Sequence, residues 1–255
     1  MANDRTCLVL LHAFPVSSVM YGEVADALSD GVDLVLPEFR GFGGTEAPDE
    51  SPSLDVYADD VAAVLDRLGV ERAVVGGSSM GGYVTMAFCR RHPERVAGLL
   101  LVDTKASSDT EAGAAGRERL AATVLADDSV GVLLGDVFPS LLGETSFAER
   151  PAVVALVRSW VAAARPESVA WAQRAMAGRP DSLETLSRMN VPALVVLGEE
   201  DRLASLADAE AMMQALPQGA LSLLPSAGHL SAIETPDAFS ETVLSWLGEA
   251  SLIDG

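Results

Sequence analysis

Short runs of apolar residues alternate along this chain with longer segments in which apolar residues recur every three or four positions. An unbroken apolar run predicts a strand covered on both faces, and the wider spacing predicts a helix. The runs lie at residues 6–11, 32–36, 73–75, 96–102, 193–197 and 220–224, and the helical spacing lies at residues 19–28, 54–68, 80–91, 206–216 and 236–247. This alternation predicts an α/β fold with a doubly wound, mostly parallel sheet of six strands.

One long segment departs from the alternation. Residues 104–189 contain no run that predicts a strand, and their richness in Ala, Leu and Arg favours several helices. At 255 residues, the chain has the size of one large domain or of a domain with an inserted lobe. Because ligands of doubly wound sheets bind at the carboxyl ends of the strands, we expect the functional residues at that edge.

Charge and composition argue against several classes of function. The chain has 37 acidic and 17 basic residues, a formal net charge of −20, and Lys105 as its only lysine. Because this field repels phosphate backbones, we expect no nucleic-acid partner. The apolar runs are too short to span a bilayer, so no membrane association is expected. The N-terminal residues lack the basic region and cleavage site of a signal peptide, which predicts a cytoplasmic location.

A G-x-S-x-G pattern follows the third predicted strand. Residues 77–81 read GSSMG, with Ser79 at the centre, and a predicted helix begins directly after them. In a strand–turn–helix of this kind, the serine lies at the apex of a strained turn with its hydroxyl exposed. Ser78 does not fit the pattern, because the residue two positions after it is methionine. The pattern therefore indicates Ser79 as a nucleophile.

A serine needs a base to remove its proton, and the chain has only three histidines. His92 precedes a proline at the end of a predicted helix, which indicates a capping role at the surface. His12 directly follows the first strand. His229 lies in a loop of small residues after the last strand, where a side chain can reach across the strand ends. We therefore predict His229 as the base.

A third group must hold the imidazole in the correct tautomer, and two aspartates are candidates. Asp201 follows the fifth strand in an acidic loop that also contains Glu199 and Glu200, and Asp103 ends the fourth strand. We favour Asp201 and keep Asp103 as the alternative.

Attack on a carbonyl produces an oxyanion, which needs preorganised donors. The backbone N–H of Met80 lies at the start of a predicted helix, where the helix dipole also favours negative charge. A second donor should come from the loop after the first strand, at residues 12–15. Since Pro15 has no N–H, we predict the N–H of Phe14, with His12 holding this loop by hydrogen bonding.

With these features in place, nearly the whole chain resembles the α/β-hydrolase family. The resemblance is carried by HAFP (12–15), RGFGGTEAP (40–48), GGSSMGG (76–82), RRHPERVAGLLLVDT (90–104), LVVLGEEDRL (194–203) and AGH (227–229). It implies a triad of Ser79, Asp201 and His229, and an oxyanion hole formed by Phe14 and Met80. It also implies a core of residues 1–103 and 190–255 under a helical cap of residues 104–189. Most members have two further strands before the first strand predicted here, whereas only residues 1–5 precede it in this chain, so we expect a sheet trimmed to six strands. The chain also has Ala13 where the family has glycine.

Within the family, the chain is most similar to small capped serine esterases and enol-lactonases. The resemblance implies hydrolysis of a small carboxylic ester or lactone through an acyl-enzyme, without a metal or cofactor. Cofactor-free haloperoxidases or perhydrolases and carbon–carbon bond hydrolases share the triad, and a non-enzymatic ligand receptor is a further alternative. The sequence does not indicate an oligomeric state. Four cap residues could line the substrate pocket or equally belong to the core: Phe138, Trp160, Trp171 and Met176.

Overall fold

A single parallel sheet organises the molecule in the computed structural model, which describes residues 5–253. Its strands are β1 (Cys7–Leu11), β2 (Asp33–Val35), β3 (Ala73–Ser78), β4 (Val96–Val102), β5 (Ala193–Gly198) and β6 (Gly219–Leu224). They are arranged in the order β2-β1-β3-β4-β5-β6, and every neighbouring pair is parallel. The predicted fold class, a doubly wound six-stranded α/β sheet, is confirmed.

Burial along the strands explains why their sequences are so apolar. Strands β1, β3 and β5 are buried at every position, because helices cover both faces of the sheet. The outer strands differ: β2 is only partly buried, and β6 exposes Leu221 and Leu223. An apolar run therefore predicted a strand at both edges as well as in the centre.

The helices include α1 (Gly22–Gly31), α2 (Leu54–Leu68), α3 (Met80–Arg91), α10 (Leu206–Ala215), α11 (Ser231–Glu234) and α12 (Pro236–Glu249). The segment predicted as one helix at residues 19–28 is a 3₁₀ turn over Ser18–Tyr21 followed by α1. Helix α11 was not predicted, because four residues are too short to show helical spacing. Among residues 5–253, no helix is long and apolar enough to cross a membrane.

Between β4 and β5, the chain forms only helices and turns. The helices are α4 (Glu111–Ala126), α5 (Gly131–Asp136), α6 (Glu144–Glu149), α7 (Pro151–Ala162), α8 (Pro166–Ala177) and α9 (Leu183–Ser187). Helices α4 and α8 pack against each other, and Val124 and Val169 are among the side chains that they bury. The boundaries of a cap at residues 104–189 stay a prediction.

Candidate active site

Ser79 occupies a sharp turn between β3 and α3. Its φ of 54° and ψ of −111° lie outside the regions that ordinary residues prefer, a conformation that costs about 1–3 kcal/mol and persists only when its surroundings impose it. A Cβ on Gly81 would lie 2.0 Å from the carbonyl oxygen of Leu11, and one on Gly77 would lie 2.4 Å from the Gly81 carbonyl carbon. The turn can therefore pass this close to β1 only because these positions are glycine.

The hydroxyl of Ser79 meets an imidazole. The Oγ atom of Ser79 lies 2.7 Å from Nε2 of His229, which is on the loop after β6 and is 4% exposed. The other ring nitrogen, Nδ1, lies 2.8 Å from Oδ2 and 3.0 Å from Oδ1 of Asp201. These three side chains, 150 and 28 residues apart along the chain, thus form one continuous line of hydrogen bonds.

The carboxylate of Asp201 is held in place by its own loop. Its Oδ1 atom accepts hydrogen bonds from the backbone N–H groups of Leu203 (2.7 Å) and Ala204 (3.0 Å). With these donors on one oxygen, the other is free to accept from the imidazole. Burial lowers the pKa of His229, but the charge of Asp201 and its hydrogen bond outweigh this effect, so the pKa lies above its ordinary value.

Asp103, the alternative acid, makes a different set of contacts. It is fully buried and accepts hydrogen bonds from the backbone N–H of Gly198 (2.9 Å) and from the N–H and hydroxyl of Ser231 (3.0 and 2.6 Å). Burial and the nearby charge of Asp201 raise the pKa of Asp103 to about 7, although its three donors favour the ionised form. Asp103 therefore ties the end of β5 to the segment after His229.

Glu234 is a further buried carboxylate that the sequence reasoning missed. It is 3% exposed, and its Oε1 atom accepts from the N–H groups of Gly228 (2.8 Å) and Leu230 (3.2 Å), on either side of His229. Its Oε2 atom accepts from the N–H of Gly143 (2.7 Å) and the hydroxyl of Ser146 (2.6 Å). One side chain thus joins the histidine loop to α6. The available signal was that Glu234 is the one charged residue among the apolar and small residues that directly follow the histidine, at 230–234.

The loop after β1 carries Phe14 beside the serine. His12 is fully buried, and its Nε2 atom lies 3.2 Å from the N–H of Phe39 and 3.0 Å from the Glu38 carboxylate. Its ring packs against the Phe39 ring with centroids 4.5 Å apart. These contacts fix the loop, as expected of His12. Met80, the source of the other predicted donor, is buried at the first position of α3.

A cavity of about 310 Å³ opens onto Ser79 and His229. Its walls come from the strand ends and from helices α4, α5 and α8. The lining residues are Phe14, Ser79, Tyr83, Lys105, Asp109, Gly113, Gly116, Arg117, Leu120, Asp136, Val137, Ser140, Leu141, Gln173, Met176, Leu203 and His229. Of the four predicted pocket residues, Met176 is one of these.

The other three candidates for the pocket do not line this cavity, and their contacts fit the alternative of a role in packing. Phe138 packs edge-on against Phe147 with ring centroids 5.8 Å apart. Trp171 packs against Tyr57, and its Nε1 donates to the carbonyl of Glu50 at 2.9 Å. Trp160 lines a separate hollow of about 160 Å³ beside the loop after β1. Aromatic side chains have large apolar areas to bury, and Phe138 and Trp171 are buried in packing between elements, whereas Trp160 is partly buried.

The reactive groups of the site are the hydroxyl, the imidazole and the carboxylates. In the part of the chain that the structure describes, no three or more His, Cys, Asp or Glu side chains form a group that could hold a metal ion. Cys7 and Cys89 are both buried and unbonded to each other, and burial raises the pKa of both thiols.

Comparison with known proteins identifies the family. Residues 6–236 match the family model described as alpha/beta hydrolase fold. A thermophilic esterase from Thermogutta terrifontis is 34% identical with a TM-score of 0.92, over 96% of this chain and 90% of that chain. The enol-lactonase from Burkholderia xenovorans LB400 is 27% identical with a TM-score of 0.87, over 96% and 92% of the two chains. The 3-oxoadipate enol-lactonase 2 of Acinetobacter baylyi is 24% identical over 94% of this chain and 88% of its own length. The chain therefore belongs to the α/β-hydrolase family, in the branch that resembles esterases and enol-lactonases.

Proposed function

We propose that this protein hydrolyses a carboxylic ester or lactone of a small molecule through an acyl-enzyme on Ser79. The family and the similarity to esterases and enol-lactonases support a hydrolase of small esters. The observation that carries the proposal is the line of hydrogen bonds from Ser79 through His229 to Asp201 at the floor of a cavity. The cavity volume, about 310 Å³, suits a small molecule.

In the acylation step, Nε2 of His229 takes the hydroxyl proton while Oγ of Ser79 attacks the ester carbonyl carbon. Asp201 accepts the hydrogen bond from Nδ1–H and stabilises the imidazolium that forms. The negative charge on the carbonyl oxygen is stabilised by the N–H groups of Met80 and Phe14. His229 then gives its proton to the departing alkoxide, and the acyl group remains on Ser79.

In the deacylation step, His229 takes a proton from a water molecule, whose oxygen attacks the acyl carbon. The tetrahedral intermediate collapses, the proton passes to Oγ of Ser79, and the free acid leaves. For a lactone, the alcohol of the first step stays attached to the acyl group, so a single hydroxy acid is released.

A fluorophosphonate probe followed by intact-mass measurement tests the nucleophile. We expect one adduct, located on Ser79, and none in Ser79→Ala. The neighbouring Ser78 provides a matched control, because its hydroxyl is buried and has no hydrogen-bond partner among the described residues. Ser78→Ala should label as wild type does. A folded wild-type protein that is not labelled, or an adduct that survives Ser79→Ala, would contradict the proposal.

The choice of acid is tested by a pair of substitutions. Asp201→Asn should lower kcat for an activated ester by about 10³-fold or more, because the imidazole loses the group that fixes its tautomer. Asp103→Asn removes a carboxylate that does not contact the imidazole, so we expect a smaller loss of kcat. If Asp103→Asn is the inactive variant and Asp201→Asn is active, the assignment is wrong.

A further inference from the structure

The cavity over Ser79 carries a positive charge that the protein does not neutralise. Lys105 is the only lysine of the chain and lines this cavity together with Ser79 and His229. It is partly buried. Within residues 5–253, it makes no hydrogen bond or ion pair, although the chain has 37 acidic residues. Its ammonium group therefore has no partner among the described residues and is available to a ligand in the cavity.

The neighbouring charges add to this excess. Two guanidinium groups, those of Arg117 and Arg179, share one carboxylate, Asp109, at 2.5 and 2.7 Å. Arg117 and Asp109 also line the cavity, and Arg179 stacks over the cavity residue Tyr83 at 4.1 Å. One carboxylate neutralises only one of the two cations.

The only other acid in the lining is Asp136, which is exposed to solvent. Its charge is therefore screened far more strongly than the charges deeper in the wall. In a protein with a formal charge of −20, the positive groups of Lys105, Arg117 and Arg179 are thus gathered in and beside the wall of this cavity.

The main chain just before Lys105 is bonded to the turn that carries the nucleophile. The residue before Lys105, Thr104, donates a hydrogen bond from its hydroxyl to the backbone carbonyl of Ser79 at 2.9 Å. The residue before that, Asp103, is bonded to Gly198 and Ser231. The main chain that carries Lys105 is thus tied to the turn of the nucleophile, and its side chain lines both the cavity over Ser79 and a neighbouring hollow of about 160 Å³.

We propose that Lys105 binds a carboxylate on the part of the substrate that does not react, so that the preferred substrate is an anionic ester or lactone. This inference rests on the proposed hydrolysis at Ser79 and adds the charge of the substrate. The apolar residues of the same cavity, such as Leu120, Leu141 and Met176, contact the hydrocarbon between the reacting carbonyl and the carboxylate. A carboxylate supplies the partner that the ammonium group of Lys105 lacks among the described residues, and the hydrogen bonds between them contribute to binding rather than to the bond-breaking step.

The test compares two esters of the same length, the mono-p-nitrophenyl ester of adipic acid and p-nitrophenyl hexanoate, at 0.15 M salt. We expect wild type to have the higher kcat/KM on the anionic ester. Lys105→Met should lower kcat/KM for that ester by about 10-fold to 100-fold, mainly through KM, because a charge-assisted hydrogen bond is lost. The same variant should hydrolyse the neutral ester within about twofold of wild type, and Lys105→Arg should retain most of the preference.

Arg67→Met is the matched control, because it removes one exposed positive charge on α2 away from the cavity. It should leave the ratio of the two kcat/KM values unchanged. If both esters are hydrolysed but Lys105→Met leaves that ratio unchanged, or if wild type prefers the neutral ester, the inference about Lys105 is overturned while hydrolysis stands. If neither ester is hydrolysed and the fluorophosphonate does not label Ser79, the proposed function itself fails.

Discussion

Replacing Glu234 by glutamine should weaken both the fold and the site, although it exchanges only one oxygen for an NH₂ group. The carboxylate accepts four hydrogen bonds, two on each oxygen. A glutamine has only one acceptor oxygen. That oxygen can serve the N–H groups of Gly228 and Leu230, and the NH₂ group then points at the N–H of Gly143, which is left without an acceptor.

The magnitude follows from these contacts. A buried N–H without a partner costs about 1–3 kcal/mol, and each remaining bond loses roughly 1 kcal/mol when its acceptor is no longer charged. Because a neutral amide is less costly to bury than a carboxylate, part of this loss is offset. We expect Glu234→Gln to reduce the free energy of unfolding by about 2–4 kcal/mol. For a chain of this size, that corresponds to a fall in Tm of about 5–15 °C.

Differential scanning calorimetry at pH 7 measures this change. The matched control is Glu241→Gln on α12, where the same substitution falls on an exposed side chain and should shift Tm by less than about 2 °C. The charge of Glu234 also raises the pKa of His229, so the acid limb of the kcat/KM profile should move to lower pH in Glu234→Gln. If its Tm equals that of the Glu241→Gln control, Glu234 does not hold the histidine loop as described.

Three other predictions concern the turn and the titratable groups. Gly81→Ala puts a methyl group 2.0 Å from a carbonyl oxygen of β1 and should cost about 3 kcal/mol or more in urea unfolding. At Gly135, an added Cβ would have no neighbouring atom within 4 Å, so Gly135→Ala should be neutral or slightly stabilising. Equal urea midpoints for the two variants would contradict the packing described for the turn. The effect of Asp201 on the pKa of His229 exceeds the opposite effect of burial, so kcat/KM should fall on the acid side with a midpoint above the pKa of a free histidine. Asp201→Asn should lower this midpoint. A pH–rate series that shows the same midpoint for both proteins would refute this. The pKa of Asp103 is raised to about 7 in the folded protein, so the stability linked to its protonated form is present below its ordinary pKa and is lost as the pH rises through about 7. Asp103→Asn should therefore destabilise the protein more at pH 5 than at pH 8, relative to wild type. Urea unfolding at the two pH values measures the difference.

The sheet was predictable because its physical signal is local. A parallel strand buried on both faces needs an unbroken apolar run, and β4, predicted at residues 96–102, lies at Val96–Val102. The helices between β4 and β5 carried a weaker signal. Apolar side chains occur on several faces of α7, so its sequence did not show that Val157 and Val161 are the ones it buries.

For the site, the sequence indicated which residues follow strand ends but not how each loop turns its side chain. Asp103 comes directly after β4, and Asp201 comes three residues after the end of β5. They differ because Asp103 adopts a φ of 46° and bonds Ser231, whereas Asp201 lies against the imidazole. Such differences depend on contacts between residues far apart in the chain. The same reason hid Glu234, whose four donors come from two separate segments.

Lys105 was noted in the sequence only as the single lysine. It lies three residues after the end of β4, at the strand edge where ligands of such sheets bind, and this position was a usable signal. The aromatic residues predicted for the pocket had no comparable positional signal. Residue type alone therefore proved a weaker guide to the cavity than position relative to a strand end.

The position of β6 has a consequence for how the protein matures during synthesis. Among residues 5–253, this strand pairs with β5 alone, and the loop that follows it carries His229, 150 residues after Ser79. Ser79 therefore emerges from the ribosome well before His229, the base that we propose for it. On that proposal, a nascent chain that ends before β6 would present a hydroxyl without its base and an uncovered apolar edge on β5.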